Sequence, residues 1–160
     1  MEYFTARAAK LKVGPTTDKE NVIGPLINDK QAAKVKDQID DAIAKGATPV
    51  IGGSVTGRFV EPTILTDVTP DMKVYREETF GPVVPVIPFR NDDEAIAIAN
   101  DTEYGLSSGI ITQDESRGLS IAERLETGMC HINCSPINDE PHVPFGGVKS
   151  SGVGRYGGRW

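Results

Sequence analysis

The sequence predicts an α/β fold, a parallel β-α-β-α-β sheet with flanking helices, and three observations carry that expectation. From Val83 onward, apolar runs at 83–89, 106–112 and 129–133 alternate with amphipathic stretches at 92–100 and 114–126. Alternation of this kind calls for parallel strands joined by right-handed crossovers, with helices on the sheet faces. The helix at 92–100 is announced by Asn91-x-x-Glu94, a capping pattern that satisfies amides left free at a helix start. At 160 residues, with 38% hydrophobic and 25% charged, the chain holds enough apolar material for one packed domain.

Each element follows in order. Phe4, Ala8 and Leu11 recur at helical spacing until Gly14-Pro15 stops the pattern. Residues 15–24 form a polar loop. Asn28-x-x-Gln31 is a second capping box, and Val35, Ile39, Ala42 and Ile43 make one apolar stripe that ends at Gly46. Thr48 to Ile51 reads as a strand; residues 59–65 are extended, with Pro62 marking a sheet edge or an interruption. Residues 72–76 fit a helical turn or a short strand equally. Pro85 and Pro88 cannot donate to a ladder, so strand 83–89 is expected to pair on one side only. After Asn133 periodicity is lost and Pro, Gly and polar residues dominate, the mark of a functional or mobile segment. The abrupt helical start and this ending lead to the expectation of a partial domain over 1–160, cut at both ends.

Charge excludes some functions. Lys and Arg number 17 against 23 Asp and Glu, a net charge of -6, so no basic patch recommends nucleic acid or an anionic membrane surface. No apolar run approaches the roughly 20 residues of a spanning helix, and Met1-Glu2-Tyr3-Phe4 lacks the parts of a secretory signal. A cytoplasmic address is expected, with Cys130 and Cys134 as free thiols.

The stretch with the most chemistry is Arg76-Glu77-Glu78-Thr79-Phe80-Gly81-Pro82-Val83, at the mouth of a strand. A carboxylate accepts two hydrogen bonds at once and suits a ribose diol, and a Phe offers a flat face to a heteroaromatic ring. Paired Glu residues on a turn also make an ordinary solvated surface. Pro144-Phe145-Gly146-Gly147 could form a rigid wall close to a ligand, or an exposed loop. Other patterns fail on context. Residues 152–157 spell a dinucleotide fingerprint without its strand, helix or acidic partner, and 105–109 spell a nucleophile elbow with helix and strand in the wrong order. Cys130, His131, Cys134 and His142 straddle a strand end whose side chains alternate in direction, so no metal site is expected.

Three segments in order, Glu77-Glu78-Thr79-Phe80-Gly81-Pro82-Val83, Tyr104-Gly105-Leu106-Ser107-Ser108-Gly109 and Pro144-Phe145-Gly146-Gly147-Val148-Lys149-Ser150-Ser151-Gly152, resemble the C-terminal part of the aldehyde dehydrogenase superfamily's catalytic domain. The resemblance runs from about Phe4 to Gly158. It implies oxidation of an aldehyde to a carboxylic acid through a Cys thioester, with NAD or NADP as hydride acceptor. It implies further that Glu78 binds the nicotinamide-side ribose, that Phe80 packs near the nicotinamide, and that Phe145 lines the aldehyde side with Ile137 as a neighbour. The family's nucleophile belongs to a Gly-Gln-x-Cys type motif, which does not occur in this sequence. No catalytic residue is therefore assigned here, and the chain alone is expected to be inactive. Gly24-Pro25-Leu26-Ile27-Asn28 and the segment 144–158 resemble the benzaldehyde, vanillin and salicylaldehyde dehydrogenase group, implying a small aromatic aldehyde as substrate. The resemblance also implies a homo-oligomer, a dimer or tetramer. The competing reading is a dehydrogenase-derived binding or assembly module without chemistry.

Overall fold

Asn28 starts the element around which the N-terminal part of the chain packs. The computed structural model describes residues 1–159 and divides into two compact units, Met1–Pro88 and Phe89 onward. In the first unit, α1 is Glu2–Ala8 and α2 is Asp29–Ala44. Asn28 has extended backbone, and its side-chain oxygen accepts from the Gln31 amide at 2.8 Å. The reciprocal arm of the predicted capping box does not form, because the Gln31 side chain donates instead to the Thr79 carbonyl at 2.8 Å. Gly46, at φ 104°, ends the helix: its amide bonds the Ile43 carbonyl and the Ala47 amide bonds the Ala42 carbonyl. The buried face is Ala32, Val35, Gln38, Ile39 and Ala42. Ile43, expected in that stripe, is 43% exposed. It sits just beyond one edge of the buried face, while the fully buried Gln38 completes the opposite edge.

Four strands follow: β1 (Thr48–Ile51), β2 (Val55–Thr56), β3 (Phe59–Val60) and β4 (Thr63–Thr66). After them come the short helix α3 (Lys73–Arg76) and β5 (Val83–Pro85). β2 and β3 form a hairpin. The other three make one sheet in the order β1-β4-β5, with β1 antiparallel and β5 parallel to the central β4. Pro62 does interrupt the 59–65 run, and β4 beyond it is the sheet's middle. β5 is an edge strand, paired on one side as its prolines required, and it stops at Pro85 rather than reaching residue 89. The core joins α2 to this sheet through Val35, Ile39, Ala42, Leu65, Met72 and Val83.

Asp41 ties α2 to α3. Its carboxylate accepts from the Lys73 amide at 2.8 Å and from the Lys45 ammonium at 3.0 Å. The backbone bond from Lys73 first, and the Lys45 bond second, hold the carboxyl below its ordinary range, against a smaller opposing effect of burial. A depressed folded-state value stabilises the fold above the unfolded carboxylate pKa, and that stabilisation is lost as pH falls through the folded value. Asp41→Asn should therefore melt below wild type at neutral pH, and the gap should narrow as thermal unfolding is followed into acid.

In the second unit, α4 is Asp92–Asn100, β6 is Tyr104–Gly105, β7 is Ser107–Ile110, α5 is Glu115–Ala122 and β8 is Met129–Ile132. Asn91 caps α4 by accepting from the Glu94 amide at 2.9 Å. Asp114 caps α5 by accepting from the Arg117 amide at 3.0 Å. α5 ends four residues short of the predicted boundary, its last amides falling back on tighter bonds such as Arg124 to Ile121. β7 and β8 pair in parallel from Ser107 opposite Met129 to Ile110 opposite Ile132, joined through α5 as a β-α-β unit.

The α/β class is as predicted, while the three strands of the alternation fall in two sheets: β5 bonds β4, and β7 bonds β8. The segment after Asn133 is less irregular than its composition suggests. β9 (Val148–Lys149) pairs antiparallel with β6, and Phe145 bridges Tyr156. Two-residue strands are too short to show a period. Among the described residues, no helix is long and apolar enough to cross a membrane.

Candidate functional site

Residues 77–81 are held along one edge of α2. Gln31, Lys34 and Gln38 recur at helical spacing and so share a face. The Gln31 amide donates to the carbonyls of Thr79 at 2.8 Å and Phe80 at 3.3 Å, and the Lys34 ammonium donates to the Glu78 carbonyl at 2.7 Å. Gln38, fully buried, reaches the Glu77 carboxylate at 3.4 Å. The Glu77 amide closes α3 by donating to the Lys73 carbonyl at 2.8 Å. Gly81 lies against Val35, where an added Cβ would stand 2.9 Å from Cγ2. The turn is thus seated tightly on the helix.

Beyond Glu77, which Gln38 reaches, two exposed side chains of this turn carry the predicted roles. Glu78 is exposed, and the Phe80 ring is 73% exposed on a backbone at φ 49°. The left-handed region costs a residue with a Cβ about 1–2 kcal/mol, so the conformation persists only because its surroundings impose it. Beside the ring, Pro25, Leu26, Ile27, Gln31, Phe80 and Gly81 line an open groove of about 420 Å³. The Phe80 ring borders this groove and the exposed Glu78 carboxylate is carried two residues earlier, and carboxylate and ring are the groups that a ribose diol joined to a heteroaromatic ring calls for. The residues present therefore suit the nicotinamide half of NAD(P).

The other two predicted residues belong to the second unit. Phe145 is half-buried, its ring tilted against Tyr156 with centroids 5.0 Å apart and planes at 46°. Backbone bonds of 2.8 and 2.9 Å run between the same two residues. Arg155 donates to the Gly147 carbonyl at 2.8 Å and braces the turn. Ile137 is 91% exposed. A cavity of about 410 Å³ opens beside this wall, lined by Met129, Cys130, His131, Asn138, Pro144 and Arg155 among others. Neither Phe145 nor Ile137 lines it. Sequence motifs gave no role to Gln31 beyond its cap, nor any to Lys34 or Gln38, because their partners lie some 40 residues away in the chain.

The rejected motifs stand in ordinary surroundings. Ser107 lies inside β7 and its hydroxyl donates to the Pro136 carbonyl. Residues 152–157 form turns, with Tyr156 bridging Phe145, and no helix follows among the described residues. Cys130 is half-buried and Cys134 exposed, both free. Among the described residues no group of three or more His, Cys, Asp and Glu side chains is placed to hold a metal ion.

The sequence model of the aldehyde dehydrogenase family matches residues 1–160. The chain belongs to the aldehyde dehydrogenase family. It is 48% identical to the benzaldehyde dehydrogenase YfmT of Bacillus subtilis (strain 168), over 100% of this chain and 33% of that protein. It superposes on a crystal structure of a salicylaldehyde dehydrogenase from Pseudomonas putida G7 in complex with salicylaldehyde, with a TM-score of 0.94 and 41% identity, covering 99% of this chain and 33% of the other. An aldehyde dehydrogenase of Mycobacterium tuberculosis, solved with NAD+, gives a TM-score of 0.90 at 41% identity over 96% of this chain and 32% of that one. The chain spans about a third of the length of the relatives it matches. The family is one of NAD(P)-dependent oxidoreductases acting on small aldehydes.

Proposed function

We propose that this chain forms the C-terminal part of the catalytic domain of an NAD(P)-dependent dehydrogenase that oxidises aromatic aldehydes to carboxylic acids. The observation that carries the reading is the turn at 77–81, where the exposed Glu78 and Phe80 are presented on a backbone fixed by α2. Glu78 accepts the two hydroxyls of the nicotinamide-side ribose, and Phe80 packs its face near the nicotinamide. The bound cofactor supplies the hydride acceptor. Phe145 and Ile137 line the aldehyde side, and the thiol that attacks the carbonyl comes from sequence outside these 160 residues. Likeness to the benzaldehyde dehydrogenase of Bacillus subtilis and the salicylaldehyde dehydrogenase of Pseudomonas putida supports an aryl substrate. The enzyme works as a homo-oligomer, a dimer or tetramer, and the free thiols of Cys130 and Cys134 suit the reducing cytoplasm.

Glu78→Gln in the full-length enzyme tests the reading. The amide keeps the shape but replaces one of two charged acceptors with a neutral donor, so the two hydroxyls no longer both donate to a carboxylate. The dissociation constant for NADH, followed by its fluorescence, should rise about tenfold, and hydride transfer in a single turnover should slow by a similar factor. Unchanged affinity and rate would remove the ribose role. For the substrate, kcat/KM for benzaldehyde should exceed that for an aliphatic semialdehyde, and the reverse order would overturn the aryl assignment.

A further inference from the structure

We propose that Lys149 is a positioning residue for the aldehyde side: its ammonium clamps β9 to the end of α4 and so fixes where the Phe145-Gly146-Gly147 turn stands. This rests on the aldehyde-side reading of Phe145 given above.

The backbone of Lys149 is the starting point. Lysine is not a residue type that favours φ 52°, and freed from its surroundings it relaxes toward negative φ. Strand pairing alone is a weak restraint, because β6 and β9 share only the pairs Tyr104 with Lys149 and Gly105 with Val148. The ammonium supplies the rest. It donates to the Asn100 carbonyl at 2.8 Å and to the Thr102 carbonyl at 3.1 Å, and it meets the Glu126 carboxylate at 2.5 Å. Asn100 is the last residue of α4, where a helix gathers partial negative charge and accepts a cation. The Lys149 side chain is 24% exposed and that of Glu126 58%, so the ion pair is open to solvent on the Glu126 side and the two carbonyls carry most of the hold.

These partners are themselves joined. The Asn100 side chain donates to the Arg124 carbonyl at 3.0 Å and accepts from the Glu126 amide at 2.9 Å, which splints the end of α4 to the turn before β8. Lys149 therefore enters a socket that is already built. Movement at Lys149 reaches the wall through short connections. Gly147 lies against Ser151, where an added Cβ would stand 2.6 Å from the Ser151 Cβ, and the Ser150 amide donates to the Glu103 carbonyl at 2.9 Å. The bonds of Phe145 to Tyr156 and of Arg155 to Gly147 hold the segment 145–156 to itself, and Lys149 ties it by charge to α4. The β7–β8 pairing uses none of these groups, so the sheet survives loss of the clamp.

The experiment uses the full-length enzyme and compares wild type, Lys149→Met, Lys149→Arg, Glu126→Ala, Phe145→Ala and the double variant Lys149→Met/Phe145→Ala. Methionine keeps most of the apolar stem and removes the charge. In Lys149→Met, amide hydrogen exchange across residues 146–149 should accelerate about tenfold, with exchange in β7 and β8 unchanged. KM for benzaldehyde should rise about five- to tenfold with kcat within about twofold, and the NADH dissociation constant should stay at its wild-type value, since Glu78 and Phe80 belong to the other unit. Glu126→Ala leaves both carbonyls in place and should raise KM about twofold, and Lys149→Arg should bring KM back to within about twofold of wild type. In the Phe145→Ala background, Lys149→Met should add less than about twofold, because a residue that acts by placing Phe145 has nothing left to place. Wild-type exchange or wild-type KM in Lys149→Met overturns the proposal. So does a full Lys149→Met effect in the Phe145→Ala background, or a loss of NADH affinity that matches the rise in KM, either of which would mean that the clamp acts on the enzyme at large. If Lys149→Met does not fold, Glu126→Ala decides by the same readouts. An unchanged KM in Phe145→Ala alone would instead defeat the aldehyde-side reading, while the exchange result would still decide whether Lys149 holds the turn.

Discussion

Expressed alone, these 160 residues are expected to oxidise benzaldehyde with NAD+ about 10^6-fold more slowly than the full-length enzyme, which is the scale of loss when a covalent catalyst is deprived of its nucleophile. A catalytic thiol needs its thiolate form, supplied by a helix N-terminus or a close cation. Cys130 sits within β8 and Cys134 beyond its end, where the Asn138 amide donates to the sulfur at 3.9 Å. Neither stands at a helix start. Production of reduced cofactor, followed by fluorescence on material shown to be folded by circular dichroism, measures the rate. Turnover that Cys130→Ser or Cys134→Ser abolishes would place the nucleophile inside this chain and overturn the assignment.

The helix starts were legible because they are local. Asn28, Asn91 and Asp114 each accept from the amide three residues on, as a capping side chain must. The other arm of each predicted box was not legible. The Gln31 side chain leaves the helix for Thr79, and the Glu94 carboxylate turns back to the Arg90 amide at 2.6 Å and its guanidinium. Gln38 shows the same blindness in the core: a pattern that counts only apolar residues leaves out this fully buried position and takes in Ile43, which is exposed. The two-sheet arrangement was hidden because Pro62 made β4 read as a margin, whereas β4 is the strand that β5 joins. At the candidate site, the motif singles out Glu78 and Phe80, and both are exposed. The left-handed backbone of Phe80 was not legible, because Phe is not a residue type that signals positive φ.

Gly128→Ala should be among the most damaging single substitutions in the second unit, costing about 3–4 kcal/mol. Gly128 immediately precedes β8, and its amide donates to the Gly105 carbonyl at 3.0 Å, next to the β6–β9 pairing. A Cβ there would stand 1.8 Å from the Gly146 carbonyl oxygen and 2.8 Å from its carbon. Both obstacles are backbone, so no rotamer change relieves them. Either the start of β8 or the Phe145-Gly146-Gly147 turn must move, and that turn is already fixed by the Phe145–Tyr156 bonds and by Arg155. Gly109→Ala is the control. Its nearest neighbours are Pro136 side-chain atoms at 3.5 Å, an ordinary contact, and within β7 it should change stability by less than about 1 kcal/mol. Urea unfolding measures both. If the Phe145 turn is the part that moves, the proposed roles of Phe145 and Glu78 lead to a raised KM for aldehyde with wild-type affinity for NADH in the surviving folded enzyme. A variant as stable as wild type would mean that the Gly146 turn does not lie against the head of β8.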